Sequence, residues 1–302
     1  MSIQSLSIVV PGKKCINNCK FCVSNSHKDI VYEDRISENL SVDNSKTFTE
    51  ERYKTALRYA KDLGCTTLML TGECEPQQNM PFLRRFLSSL IKVGPSADTG
   101  NIFNNIEIQT TGRGLDKEAI HELAIRGVNT FSISVSSFDD HMNAAIINQG
   151  KEIIPLKELC RNIKEEGCLL RLSINLSDFI VDLYTPEELF RKCKEEYKAD
   201  QVTLRKLYLP EKRCSQSEWI AQHTDVEKDK KFFEYIKKKG TRLETLPYGL
   251  VKYSVNGVGT VADDDCMAKK NGYKPAEDIR YLILRPDCHL YTRWDDPASI
   301  IY

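Results

Sequence analysis

The chain has 302 residues, with 43 Lys and Arg balanced by 43 Asp and Glu and a mean hydropathy of −0.42. That length holds one large domain or two small ones, and the cancelled charge argues against a broad basic surface for duplex nucleic acid. No run reaches the ~18 apolar residues of a membrane span and the first ten residues lack the basic start of a signal peptide, so a soluble, cytoplasmic protein is expected. Eleven cysteines are too few for a disulfide scaffold. An odd number of them in a reducing compartment points to thiols, metal or catalysis.

In chain order, a first strand is expected over 6–10. It leads directly into Cys15-Ile-Asn-Asn-Cys19-Lys-Phe-Cys22, a C-x3-C-x2-C segment. A loop at the carboxyl end of a strand is where folds built of β-α units place their active sites. Three thiols this close suit a metal or an iron–sulfur cluster. A closed zinc site needs a fourth ligand, which His27 would supply. A cluster on three cysteines keeps one iron open for a substrate or cofactor. Residues 23–46 then form a polar loop longer than the ~12–15 residues beyond which loops are usually functional or disordered.

Thr47-Phe-Thr-Glu50 reads as a capping box, opening a helix that stops at Gly64. A second strand, 66–70, runs into Leu70-Thr-Gly72-Glu73-Cys74-Glu75-Pro76. Asn79 caps a helix with Pro81 in its first turn, ending near Gly94. The third strand is 105–110, followed by a helix over 116–126. The fourth is 130–136, whose serines alternate with apolar residues and so share a face. A helix over 155–166 leads to the fifth strand, 169–176, which places Arg171, Ser173 and Asn175 together. A helix from Thr185-Pro186 to about 198, a sixth strand over 201–209, and a helix from Thr224-Asp225 to Gly240 complete the series. Five of these six helices end at a glycine in the position where a left-handed residue is expected.

Six β-α units in series imply a parallel sheet. Periodicity does not choose between an open doubly wound sheet and a partial barrel. Residues 241–302 look like a separate β-rich tail, with hairpins over 248–261 around Asn256-Gly257 and over 280–294 around Pro286-Asp287.

C-x3-C-x2-C with Phe21 before its last cysteine resembles the radical S-adenosylmethionine (SAM) superfamily. The resemblance covers about residues 5–210 and implies an α/β (β/α)6 partial barrel over 1–240, with a C-terminal extension over 241–302 covering the substrate side. It implies a [4Fe-4S] cluster on Cys15, Cys19 and Cys22. The open iron takes S-adenosyl-L-methionine, and one electron cleaves it to methionine and a 5′-deoxyadenosyl radical that abstracts hydrogen from the substrate. A reductant such as flavodoxin or ferredoxin would supply that electron. Gly72, Glu73, Glu75 and Pro76 are similar to the family's Gly-Glu-Pro element, which holds the methionyl ammonium; Cys74 replaces the usual glycine. Gln109 on the third strand, Ser134 and Ser136 on the fourth, and Asn175 on the fifth are the expected contacts to SAM. Arg205 on the sixth would bind an anionic part of substrate or cofactor, or form a structural ion pair.

Cys74 reads either as a reactive thiol near the cluster or as a small filler. Cys266 reads as a hydrogen-atom donor or as a plain thiol. His223 and His289 have no evident partners in sequence. The cysteines of the tail lack paired spacing, so no auxiliary cluster is expected. A small molecule or nucleoside is the first expectation for the substrate, a peptide the second, and nucleic acid the least expected. The competing class is a non-catalytic zinc module on Cys15, Cys19, Cys22 and His27.

Overall fold

The computed structural model describes residues 3, 5–12, 14–26, 50–90, 103–210, 213–245, 251–263, 281–294 and 296–302. Its strands are β1 (Ser5–Val9), β2 (Thr67–Thr71), β3 (Asn105–Thr110), β4 (Thr130–Val135), β5 (Leu169–Leu176), β6 (Gln201–Lys206), β7 (Thr241–Thr245), β8 (Val251–Val255), β9 (Val258–Asp263), β10 (Tyr281–Leu284) and β11 (Leu290–Tyr291). Its helices are α1 (Val23–Ser26), α2 (Glu50–Asp62), α3 (Met80–Leu90), α4 (Lys117–Ile125), α5 (Asp140–Asn148), α6 (Leu156–Glu165), α7 (Asp178–Val181), α8 (Pro186–Glu195), α9 (Ser215–His223) and α10 (Val226–Lys239).

Local chemistry starts these helices. Asp116 accepts the Ala119 N–H at 2.8 Å and opens α4. The Thr185 hydroxyl and the Glu188 carboxylate cap each other's backbone N–H groups around Pro186, opening α8. Asp225 accepts from the N–H groups of Glu227 and Lys228 to open α10. Each bond satisfies a donor that the first turn leaves unpaired. Asn79 accepts the Phe82 N–H at 3.1 Å as expected, at the end of a 3-10 turn over Pro76–Asn79.

Two helix ends depart from the expected glycine rule. Gly240 has φ −78° and ψ 139°, because the chain passes straight into β7 instead of turning. The helix without a terminal glycine, α8, is followed by Lys198 at φ 56°, so a lysine takes the left-handed position. Helices α5 and α9 and strand β7 had no expectation in sequence. Strand β7 is exposed along its whole length and reads Thr-Arg-Leu-Glu-Thr, which carries no alternation to reveal it.

The strands form one sheet in the order β11-β10-β1-β2-β3-β4-β5-β6-β9-β8-β7. Strands β1 to β6 are parallel and lie in sequence order, which is the winding of a partial barrel; a doubly wound sheet would reverse its order midway. The C-terminal strands join both edges. Strand β9 pairs parallel with β6 and β10 pairs parallel with β1. The hairpin of β8 and β9 turns through Asn256 and Gly257 at φ 51° and 78°, the mirror-image turn that matches strand twist.

Register sorts the side chains. Leu6, Ile8, Leu68, Leu70, Ile106, Ile108, Phe131, Ile133, Leu170, Leu172, Ile174, Val202 and Leu204 occupy one face, none of them more than 1% exposed, and pack with the helices into one core. The other face, the inside of the barrel, carries Ser5, Ser7, Asn105, Glu107, Gln109, Ser132, Ser134, Arg171, Ser173, Asn175, Gln201 and Arg205. On its floor Arg171 bonds the buried Glu107 carboxylate and reaches the Gln201 Oε1 with Nε at 2.9 Å. A carboxylate buried with its partner removed costs about 3–5 kcal/mol. Arg171→Met is therefore expected to lower unfolding free energy by about 3 kcal/mol in urea, and adding Glu107→Gln to recover at least half of it.

On the helix side, both carboxylate oxygens of Asp229 in α10 are buried without a hydrogen bond. Burial pushes this carboxyl up to about 6, against the opposing pull of Lys206. The folded state thus keeps a proton that the unfolded state releases. The resulting stability is complete below the ordinary carboxyl range and is lost as pH rises through about 6. Asp229→Asn is expected to match the wild type in urea melts near pH 4 and to exceed it by about 2 kcal/mol near pH 7.5.

Candidate functional site

Because β1 to β6, β9 and β10 run parallel, their carboxyl ends share one edge of the barrel, and the loops after them meet there. The loop carrying Cys15, Cys19 and Cys22 follows β1 and is fastened on three sides. After β2, Gln78 accepts the Ile16 N–H at 3.1 Å and donates to the Lys14 carbonyl at 3.0 Å, while Asn79 donates to the Pro11 carbonyl at 2.9 Å. After β3, Arg113 donates to the Ile16 carbonyl and holds Glu152 at 2.7 Å. After β4, the N–H groups of Asn18 and Lys20 donate to the carbonyls of Ile147 and Ile146 at the end of α5, at 2.9 and 3.1 Å. Helix ends leave such carbonyls without partners, so α5 and the cysteine loop complete each other.

Glu75 lies under this loop, 6% exposed. Asn17 Nδ2 donates to its Oε1 at 2.8 Å. Its Oε2 accepts from the Thr111 N–H at 3.0 Å, Gln77 Nε2 at 3.1 Å and the Thr110 hydroxyl. Asn17 also donates to Thr111 Oγ1 at 2.9 Å. One buried carboxylate thus ties the cysteine loop to β3. The strand can turn away because Gly112 has φ 90°, and a Cβ there would stand 2.2 Å from Leu159 Cδ2.

The three cluster candidates are half-buried thiols that form no disulfide. Burial raises Cys15, and the Glu75 charge adds to it. Cys19 stands well above its ordinary value through burial and then through Cys22, Glu75 and Cys15. Among the described residues no group of three or more His, Cys, Asp or Glu side chains is closed into metal-chelating geometry. The donor set nevertheless suits a cationic centre. Three thiols and a carboxylate crowd together, and their mutual repulsion as anions is what bound iron would offset.

The remaining expected residues spread over the same edge and the inner face. Gly72 approaches Val10, whose carbonyl oxygen a Cβ would meet at 3.1 Å. Glu73 accepts from Arg285 Nη2 at 2.8 Å; Arg285 follows β10 and is 1% exposed. Pro76 opens the 3-10 turn. Gln109 donates to Glu107 at 3.1 Å and contacts Met69 Sδ at 3.3 Å. Asn175 donates to Ser134 at 3.3 Å and to Ser136 at 3.1 Å, so these three form one polar row. Cys74 packs against Gly12, its Sγ 2.2 Å from where a Gly12 Cβ would be, and burial pushes its thiol up to about 12. Burial thus favours the protonated form of this thiol. Cys266 and His27 lie outside the described residues, as does the loop 23–46 beyond α1.

Helix α9 brings residues that the sequence did not single out. Phe21 meets Trp219 with ring centroids 6.2 Å apart, and Trp219 stacks on Phe179 at 6.3 Å and tilts against His223 at 4.5 Å. His223 Nδ1 lies 2.9 Å from Asp178 Oδ2, which supplies the partner absent from the sequence reading; His289 lies 3.6 Å from Asp287. Asn17, Gln77, Thr110 and Thr111 were likewise not selected, because their roles depend on Glu75 pointing inward. The one signal for Asn17 was its place inside the cysteine motif.

Asn17→Ala removes the two hydrogen bonds that the Asn17 side chain donates to Glu75 and Thr111. Each such bond contributes about 1 kcal/mol, so trypsin is expected to cut after the exposed Lys14 and Lys20 about tenfold faster, with the global urea midpoint little changed. An unchanged cleavage rate would show the loop to be held elsewhere.

Three comparisons bear on this arrangement. The sequence profile of the Radical SAM superfamily matches residues 9–201. Among solved structures, the chain is similar to Streptococcus suis SuiB bound to precursor peptide SuiA, with 14% identity and a TM-score of 0.60, over 97% of this chain and 60% of that one. It is similar to anSMEcpe with bound AdoMet and Cp18Cys peptide, with 12% identity and a TM-score of 0.58, over 97% and 74%. It is also similar to coproporphyrinogen III oxidase (HemN) from Escherichia coli, with 15% identity and a TM-score of 0.51, over 97% and 62%. The chain spans about three fifths of the length of SuiB. At these identities the likeness is one of fold. No curated protein sequence matches the chain.

Proposed function

The chain belongs to the radical SAM superfamily, whose members are enzymes that use an iron–sulfur cluster and SAM, and on that premise we propose that it carries a [4Fe-4S] cluster on Cys15, Cys19 and Cys22 and acts on a small-molecule or nucleoside substrate. Bound together, cluster and SAM supply reductive cleavage of SAM and a 5′-deoxyadenosyl radical for hydrogen abstraction. The observation that carries this reading is the three-thiol loop, held by Glu75 over the carboxyl edge of a barrel with a polar inner face.

This chain's own residues have separate tasks in the proposal. Cys15, Cys19 and Cys22 give up their protons to hold iron. The Gly72–Pro76 segment, fixed by Arg285 and by the ties of Glu75, offers carbonyl and carboxylate oxygens to the methionyl ammonium. Gln109, Ser134, Ser136 and Asn175 line the way for the rest of the cofactor. Burial beneath the loops keeps water from a reactive radical. Residues 1–240 serve as the core, and 241–302 as the extension over the substrate side. A peptide substrate is the second reading; SuiB and anSMEcpe were each solved with a peptide.

The test is anaerobic reconstitution with iron and sulfide, then EPR of the dithionite-reduced protein with and without SAM. A cluster signal that changes on adding SAM is expected, and Cys19→Ala is expected to abolish 5′-deoxyadenosine formation. A colourless protein holding one zinc, or a signal indifferent to SAM, would refute the proposal.

A further inference from the structure

The inner face of β1 to β6 carries three charged side chains: Glu107, Arg171 and Arg205. The first two neutralise each other on the floor. Among the described side chains Arg205 has no such partner. It lies one residue before the carboxyl end of β6, paired in register with Asn175, so it stands at the mouth where Ser134, Ser136 and Asn175 form their polar row. Its Nε is buried and makes no hydrogen bond. A buried N–H left unpaired costs about 1–3 kcal/mol, and this one belongs to a full charge. Arg171, two layers deeper on the same face, spends its Nε, Nη1 and Nη2 on Glu107 and Gln201. The contrast separates a structural arginine from one left open.

We infer that Arg205 anchors an oxyanion of the substrate, a carboxylate or phosphate, with Asn175 beside it. A guanidinium presents N–H donors in a planar fork that matches two oxygens of such a group. With Glu107 and Arg171 cancelled, Arg205 is the one charge on this face of β1 to β6 left without an ion pair there, and an anionic group of the substrate would compete for it with the carboxylate on β9. The inference rests on the function proposed above and narrows its substrate class to anionic molecules. Two rivals share the chemistry. The carboxylate of SAM itself would suit the same fork, and Asp263 stands at the paired position on β9.

The experiment measures equilibrium dialysis of inorganic phosphate and of acetate against the SAM-loaded protein, alongside the SAM dissociation constant. Arg205→Gln is expected to weaken binding of at least one of the two anions about tenfold and Arg205→Lys to retain most of it. SAM affinity should stay within about twofold in both variants, which also shows that they fold. Asp263→Asn should leave anion affinity equal or higher.

Three outcomes overturn the inference. One is anion binding that is absent from the wild type or unmoved by Arg205→Gln. Another is a loss of SAM affinity in Arg205→Gln of about tenfold while 5′-methylthioadenosine, which lacks the methionyl carboxylate, binds as before; the oxyanion is then the cofactor's. The third is non-additive destabilisation by Arg205→Gln and Asp263→Asn with anion affinity unchanged, which makes the pair structural. Dialysis of protein as purified, without cluster, separates failure of this inference from failure of the radical SAM reading, since the anion measurement does not need iron.

Discussion

One buried carboxylate concentrates the constraints on the candidate site. Glu75 accepts hydrogen bonds from the cysteine loop through Asn17, from the end of β3 through Thr110 and Thr111, and from its own turn through Gln77. A charge taken out of water requires such partners, because its desolvation is otherwise too costly. The same requirement makes it a fastening. Any displacement of the loop after β1 relative to the loop after β2 removes a donor from a buried anion, so the two segments expected to hold cluster and cofactor keep a fixed relation.

That fastening depends on the sheet beneath it. Parallel strands in register put every carboxyl end on one edge and separate alternate side chains into two populations. The apolar one meets the helices and makes the core. The polar one faces inward, where hydroxyls, amides and the Glu107–Arg171 pair are held by one another instead of by water, and Arg205 is left open. A polar interior of this kind adds less to stability than an apolar one of equal volume. Its use is to present donors and acceptors at fixed heights: Arg171 and Glu107 on the floor, and Ser134, Ser136, Asn175 and Arg205 toward the mouth.

The C-terminal residues take part in the same edge. Strand β10 adds parallel to β1 and delivers the buried Arg285 to Glu73, beside the Glu75 fastening. Val9, Ile283 and Tyr291 form a small second apolar cluster there, with Tyr281 and Trp294 against it. Helix α9 closes on the cysteine loop from the side of β6, through Trp219 against Phe21. Chain that follows the six β-α units thus reaches the site from both ends of the sheet.

The sequence by itself determined the alternation of strands and helices, the helix starts at Asp116, Thr185 and Asp225, the Asn256-Gly257 turn, and the C-x3-C-x2-C loop. These are local: a cap, a turn or a period of two acts over a few neighbouring residues. It also put Ser134 and Ser136 on one face of the fourth strand and Arg171, Ser173 and Asn175 on one face of the fifth, since alternation within a strand fixes that; that the two faces coincide was left to the register. Only the tertiary structure decided that the strands lie in order 1 to 6, that β9 and β10 extend the two edges, and that Glu75 binds Asn17 and Thr111. It alone distinguished the engaged Arg171 from the open Arg205, two arginines that read alike in sequence. Pairing across 30 or more residues has no local signature, because it is set by which side chains the sheet brings face to face once the core has closed.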